Sequence, residues 1–220
     1  MRPKAFKAIL FDIDGTLLDT LEDLADSTNS ALARMGFAPH ELKAYRYFVG
    51  DGMENLVRRA LPEPVGNDPG KVCDCLELLL RHYEVGGTAK TRPYPGIPEL
   101  LDALSARGLK MAVLSNKLHK FAVKMIEEFL PAWRFEPVFG ERPSVPRKPD
   151  PTSALEIARK LGIEPADFLY LGDTATDMKT AKAAGMFPVG VLWGFRDAGE
   201  LLENGAEKLL SSPRELLELL

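Results

Sequence analysis

Ala8-Ile9-Leu10-Phe11 is a short apolar run of the kind that makes a strand buried on both faces. It breaks abruptly into Asp12-Ile13-Asp14-Gly15. If the chain stays extended, residues two apart point to the same side, so both carboxylates stand at the mouth of one strand. Such a pair repels itself and loses hydration unless a positive group lies between its members. Asp-x-Asp-Gly can also be an ordinary turn, with one aspartate in an Asx-turn and Gly15 supplying a positive φ. The charged residues farther along the chain weigh on that choice.

A chain of 220 residues holds one large domain, or one domain plus a smaller insert. Its 45% hydrophobic and 27% charged residues are ordinary for a globular protein. A net charge of −4 leaves no basic footprint for nucleic acid. No apolar run approaches the roughly 20 residues needed to span a bilayer. The stretch from Met1 to Lys7 is followed by too few apolar residues for a signal peptide, so a cytoplasmic location is expected. Cys73 and Cys75 lie two apart in a helical-looking segment and project from different faces, a poor bridge and a poor metal clamp. His40, His82 and His119 are scattered and do not support zinc.

After the first strand, Thr20 is a candidate N-cap for a helix whose apolar residues recur from Leu21 to Met35 and which Gly36 ends. Further helices are expected over Glu41 to Phe48, Met53 to Leu61 and Lys71 to Glu84, with Val49-Gly50-Asp51-Gly52 as a tight loop. Four helices with no strand between them read as a helical module inserted after the first strand. The module closes over Gly86 to Gly96, and from there apolar strands alternate with amphipathic helices. The strands expected are Leu109 to Leu114, Pro137 to Gly140, Phe168 to Leu171 and Phe187 to Leu192, with a helix from Lys117 to Leu130. That alternation predicts an α/β fold with a doubly wound, Rossmann-like parallel sheet. The expected division is 1–18 and 92–220 for the core and 19–91 for the inserted helical cap.

In an open parallel sheet, ligands bind beyond the carboxyl ends of the strands. Asp12 and Asp14, then Ser115 and Asn116, then Asp173 and Asp177 all follow strands, and Lys148 lies in a Pro-rich loop that reaches the same edge. Ser115 and Asp173 could instead cap helices, and Lys148 could be solvated. Gathered at one edge, these residues form a site that calls for a cation and an anion. Hard oxygen donors suit Mg²⁺. Phosphate is the anion that best joins a divalent ion, a lysine, a hydroxyl and helix N-terminal N–H groups. One carboxylate is then left as a nucleophile, and the second, two residues on, is placed to handle protons.

Asp12-Ile13-Asp14-Gly15-Thr16-Leu17-Leu18-Asp19, Ser115-Asn116, Lys148-Pro149 and Gly172-Asp173-Thr174-Ala175-Thr176-Asp177 resemble, in order, the four motifs of the haloacid dehalogenase superfamily. The resemblance spans nearly the whole chain, and the helical insert is similar to the family's helical cap. Val49-Gly50-Asp51-Gly52, Leu56 to Leu61 and Trp193-Gly194-Phe195-Arg196 look most like the phosphoglycolate phosphatase branch.

By that resemblance Asp12 is the nucleophile and a metal ligand, and Asp14 is the general acid and base with its carbonyl on Mg²⁺. Ser115, Asn116 and Lys148 hold the phosphoryl group, Asp173 binds the metal, and Thr16 and Asp177 support the site. Gly50, Asp51 and Gly52 would read the substrate. The implied activity is a Mg²⁺-dependent phosphatase for a small phosphorylated metabolite, 2-phosphoglycolate foremost, with a sugar phosphomutase as the alternative. An idle phospho-ligand binder is disfavoured because every motif position is filled. A monomer or homodimer is expected, with no nucleic-acid or membrane partner.

Overall fold

In the computed structural model, which describes residues 6–220, the elements follow one another as β1 (Ala8–Phe11), β2 (Leu18–Asp19), α1 (Leu21–Arg34), α2 (Leu42–Phe48), α3 (Met53–Ala60), α4 (Pro69–Gly86), β3 (Arg92–Pro93), α5 (Ile97–Ala106) and β4 (Lys110–Leu118). They continue as α6 (His119–Phe129), β5 (Val138–Glu141), α7 (Thr152–Leu161), β6 (Phe168–Gly172), α8 (Ala175–Ala184), β7 (Phe187–Val191), α9 (Ala198–Glu203) and β8 (Lys208–Leu210), with a 3-10 turn over Pro213–Leu219. Two units emerge. One comprises Met1–Leu18 and Pro93–Leu220, the other Asp19–Arg92.

The first unit is built on a six-stranded sheet in the order β5-β4-β1-β6-β7-β8, with every described pairing parallel. Strands run outward from β1 on one side, then restart beside it on the other. This is the doubly wound arrangement, and its topological switch point falls between β1 and β6. β1 is central and fully buried on both faces. Alternate residues separate to two cores. Ile9, Phe11, Val113, Leu169 and Leu171 join Leu101 of α5 and Met125 of α6. Ala8, Leu10, Leu114, Phe168 and Tyr170 join Ile157 of α7 and Ala181 of α8. The apolar run that reads as a two-faced strand therefore forms one.

β4 departs from expectation. It does not stop at Leu114 but runs through Ser115, Asn116 and Lys117 to Leu118, which pairs with Glu141 of β5 after an irregular register. Helix α6 begins only at His119. Ser115 is therefore a strand residue and not a helix cap. Nor does Asp173 cap α8: Thr174 holds that place, joined to Asp177 in a capping box.

The second unit is helical. Leu24 and Leu32 of α1, Val57 of α3 and Leu79 of α4 are buried in it. Helix α4 starts at Pro69, earlier than the apolar spacing indicates. Asp68 accepts hydrogen bonds from the Gly70 and Lys71 N–H groups, and Pro69 is pre-set for a first turn. Thr20 precedes α1, but its side chain makes no capping bond. The buried Asp23 accepts from Lys90 N at 3.0 Å and Thr91 Oγ1 at 2.7 Å, tying the start of the insert to its end. Cys75 is buried and Cys73 exposed, in keeping with their spacing.

Candidate active site

The site begins where β1 ends. Asp12 keeps one more sheet-like bond, donating its N–H to Leu171 O at 3.0 Å. The chain then doubles back: the N–H groups of Thr16, Leu17 and Leu18 all donate to Ile13 O. Gly15 takes φ 81° at this bend, and a Cβ there would collide with the Asp173 carboxylate. The Asp-x-Asp-Gly turn and the carboxylate cluster are thus one structure.

Lys148 sits at the centre. Its Nζ lies 2.6 Å from Asp177 Oδ1, 3.1 Å from Asp12 Oδ1 and 3.2 Å from Leu114 O. Burial alone would lower its pKa, but the attraction of Asp12 and Asp177 outweighs that and holds it well above the ordinary lysine value. The backbone of Lys148 is fixed by Asn116, whose Oδ1 accepts from Lys148 N at 2.9 Å and whose Nδ2 donates to Lys148 O at 3.1 Å. The Asn116 amide is therefore engaged with the lysine's main chain.

Asp177 is held by its own helix. Thr174 donates its N–H at 3.2 Å and its hydroxyl at 2.7 Å to Asp177 Oδ2. Asp173, fully buried, accepts from Thr16 Oγ1 at 3.3 Å and from Phe195 N at 2.8 Å. Asp12 accepts from its neighbour Ile13 N at 2.7 Å. Carboxylate oxygens of Asp12, Asp173 and Asp177 lie within 4.8 Å of one another.

Burial pushes the Asp12 carboxyl up to about 7 against the pull of Lys148, with Asp177 and Asp14 adding repulsion. Burial likewise drives Asp173 well above the carboxylate range, with Asp177 and Asp12 acting in the same direction. Asp12, Asp14, Asp173 and Asp177 crowd around Lys148 and Lys117, with Arg196 also acting on Asp173, so the acids outnumber the cations. All donors are hard oxygens. The residues present fit a divalent cation of the Mg²⁺ type, which would return both raised carboxyls to the charged form.

Two features of the site had no role assigned from the sequence: Lys117 was not singled out, and Trp193-Gly194-Phe195-Arg196 was noted only for its resemblance to the phosphatase branch. Lys117 Nζ stands 3.0 Å from Asp14 Oδ1 and 3.1 Å from Oδ2, with its side chain 1% exposed. The second feature is the loop after β7. Trp193 Nε1 donates to Thr16 O at 3.0 Å, Phe195 N holds Asp173, and Gly194 packs where a Cβ would strike both Asp173 and Gly15 O. Lys117 follows Ser115-Asn116 directly, a position that a strand continuing past Leu114 would have marked. A backbone N–H leaves no signature in sequence.

Asp12, Asp14, Thr16, Ser115, Asn116, Lys148, Asp173 and Asp177 all belong to the sheet-containing unit. Ser115 is buried, and its Oγ accepts from Lys117 N at 3.3 Å. Gly50, Asp51 and Gly52 belong to the helical unit. There Gly50 and Gly52 both have positive φ. The Asp51 carboxylate pairs with Arg59, which also donates to Phe48 O at 3.1 Å.

Comparison with known proteins decides the lineage. Residues 9–191 match the family model described as haloacid dehalogenase-like hydrolase. The chain belongs to that hydrolase family. It is 32% identical over 220 residues to a phosphoglycolate phosphatase of Nitrosospira multiformis, covering 99% of this chain and 97% of the relative. It is 30% identical over 214 residues to a phosphoglycolate phosphatase of Aquifex aeolicus, covering 97% and 96%. The crystal structure of a predicted phosphoglycolate phosphatase from Haemophilus somnus superposes with a TM-score of 0.90 at 26% identity, covering 97% of each chain. The hydrolase therefore carries the family's fold along almost its entire length. No helix among its described residues is long and apolar enough to cross a membrane.

Proposed function

We propose that this hydrolase is a Mg²⁺-dependent phosphatase acting on a small phosphorylated acid, 2-phosphoglycolate foremost, through an aspartyl-phosphate. One observation carries the reading: a buried lysine lies between Asp12 and Asp177 while Asp173 closes the same cluster. The names of the relatives supply the substrate class.

Asp12 is assigned as the nucleophile. Its oxygen forms a bond to phosphorus as the ester P–O bond breaks, and the departing oxygen takes a proton from Asp14. Water then attacks the phosphorus of the aspartyl-phosphate, giving its proton to Asp14 and releasing Asp12 with orthophosphate. Lys148 and the Ser115 hydroxyl are assigned to the phosphoryl oxygens, with Asn116 holding Lys148 in place and Asp177 setting the direction of its ammonium. Asp12, Asp173 and the Asp14 carbonyl are the assigned holders of Mg²⁺, with Thr16 steadying Asp173. Bound there, the ion would neutralise the phosphoryl charge as it develops. The Gly50-Asp51-Gly52 loop is assigned to the non-phosphoryl end of the substrate.

The test is a panel of small phosphate esters assayed with and without Mg²⁺. 2-Phosphoglycolate should show the highest kcat/KM, release orthophosphate and depend wholly on the ion. Accumulation of an isomerised sugar phosphate would establish a mutase instead, and activity in excess chelator would remove the metal from the scheme.

A further inference from the structure

The motif residues leave one buried charge unexplained. Lys148 serves Asp12 and Asp177 and spends its remaining donor on Leu114 O. Lys117 is a second lysine, equally buried at 1% side-chain exposure, and its ammonium straddles both oxygens of Asp14 at 3.0 and 3.1 Å. A lysine at a strand end can usually extend its amine to water along a flexible stem. Here the amine turns inward, and a buried ammonium is tolerable only against a partner charge. The continuation of β4 makes this possible. It carries Lys117 beyond Leu114 at the carboxyl end of the sheet before α6 begins at His119. The Asp12-x-Asp14 pair is thus matched by two lysines, one for each acid.

We infer that Lys117 is a positioning residue that sets the direction of the Asp14 carboxyl towards the leaving-group oxygen. The inference rests on Asp14 acting as proton donor in the phosphatase reading above. A carboxyl that protonates a departing oxygen must be held closely in place, within about 0.5 Å and 10–20°. An ammonium spanning both oxygens restricts rotation of the side chain. When one oxygen carries the proton, Lys117 keeps its bond to the other, so the proton-bearing oxygen faces the ester. The proton passes from that oxygen to the leaving oxygen as the P–O bond breaks, and Lys117 gains and loses nothing.

The test separates leaving groups. Lys117→Met preserves side-chain length without a donor, and Lys117→Gln keeps N–H donors without charge. Each is assayed on 2-phosphoglycolate, whose alkoxide needs a proton, and on 4-nitrophenyl phosphate, whose phenolate leaves unaided. For Lys117→Met, kcat/KM on the alkyl ester should fall about 10²-fold or more. On the aryl ester kcat/KM should stay within a few-fold, with a burst of nitrophenolate before slow turnover, because the later water step still uses Asp14. Lys117→Gln should recover part of the alkyl activity. In an Asp14→Asn background, Lys117→Met should add no further loss. Equal falls in kcat/KM on both esters, or a loss that compounds in the Asp14→Asn background, would overturn the inference and make Lys117 a substrate-binding or structural residue. Failure of the phosphatase reading looks different: the wild-type protein would turn over neither ester. Melting curves of the single variants and of the double variant, which removes both charges together, report folding separately.

Discussion

Lys148 Nζ is closer to Asp177 Oδ1, at 2.6 Å, than to Asp12 Oδ1, at 3.1 Å. The lysine is therefore anchored by the first turn of α8 and directed towards Asp12 from there. Asp177→Asn keeps the size of the side chain and part of the capping box but removes the charge that holds the ammonium. Activity should drop by about 10- to 100-fold, the range seen when groups that orient a charged ligand are lost. Steady-state kinetics with Mg²⁺ saturating check this, and unaltered kcat would dissociate Asp177 from the lysine's role.

Asp12→Asn makes a sharper pair of outcomes. Turnover should fall by at least about 10³-fold, as expected when a covalent nucleophile is removed. Yet the metal-free variant should melt no lower than the wild type at pH 8. Burial already favours the neutral form of this carboxyl, so the amide relieves repulsion from Asp14 and Asp177. Activity and thermal melts measured on one preparation distinguish the two effects.

Gly194 touches no substrate in the scheme above, but a methyl group there would push on Asp173 and on Gly15 O. Gly194→Ala should weaken Mg²⁺ binding about tenfold or more by displacing the carboxylate that Phe195 N–H holds at 2.8 Å. Titration calorimetry or ion-dependent melting measures this without catalysis. Unchanged ion affinity would show that the loop after β7 has no part in positioning Asp173.

The raised carboxyls also set a pH dependence for the metal-free protein. Asp12 titrates near 3.8 when unfolded and about 7 when folded, and Asp173 shifts in the same direction. Between those values the folded state holds more protons than the unfolded one, so stability falls as pH rises from about 4 to 7. Mg²⁺ needs the charged carboxylates, so the stabilisation it confers should be small at pH 5 and large at pH 8. Denaturant melts at both pH values, with and without Mg²⁺, give the comparison. Equal ion effects at the two pH values would contradict the proposed coupling.

Legibility in the sequence followed the range of the interaction. Asp12, Asp14, Asp173 and Lys148 could be found because each follows a strand, or lies in a loop, at an edge that periodicity identifies. Ser115 and Asp173 were open to being read as helix caps because that motif is local and common. The structure puts the caps elsewhere: β4 runs on past Ser115, and the Thr174-x-x-Asp177 box takes the N-terminus of α8. Where β4 ends depends on pairing with Glu141 in another strand, and the residues of β4 alone do not carry that information. Lys117 was hidden by the same error, since a helix starting there would put it on a first turn. The bond from Phe195 N to Asp173 spans 22 residues and involves no side chain of Phe195, so no residue type could announce it.

The short strands β2 and β3 pair with each other, at the points where the chain leaves the sheet-containing unit and returns. Tyr94 N reaches Leu17 O at 3.1 Å beside them. Departure and return are therefore stitched side by side, and the central sheet does not have to stretch around whatever is threaded between them. A helical cassette of different length or composition could be spliced in at this seam while leaving the register of β1 against β4 and β6 unaltered. Residues 19–92 can then change in length while the acids at the end of β1 stay as they are.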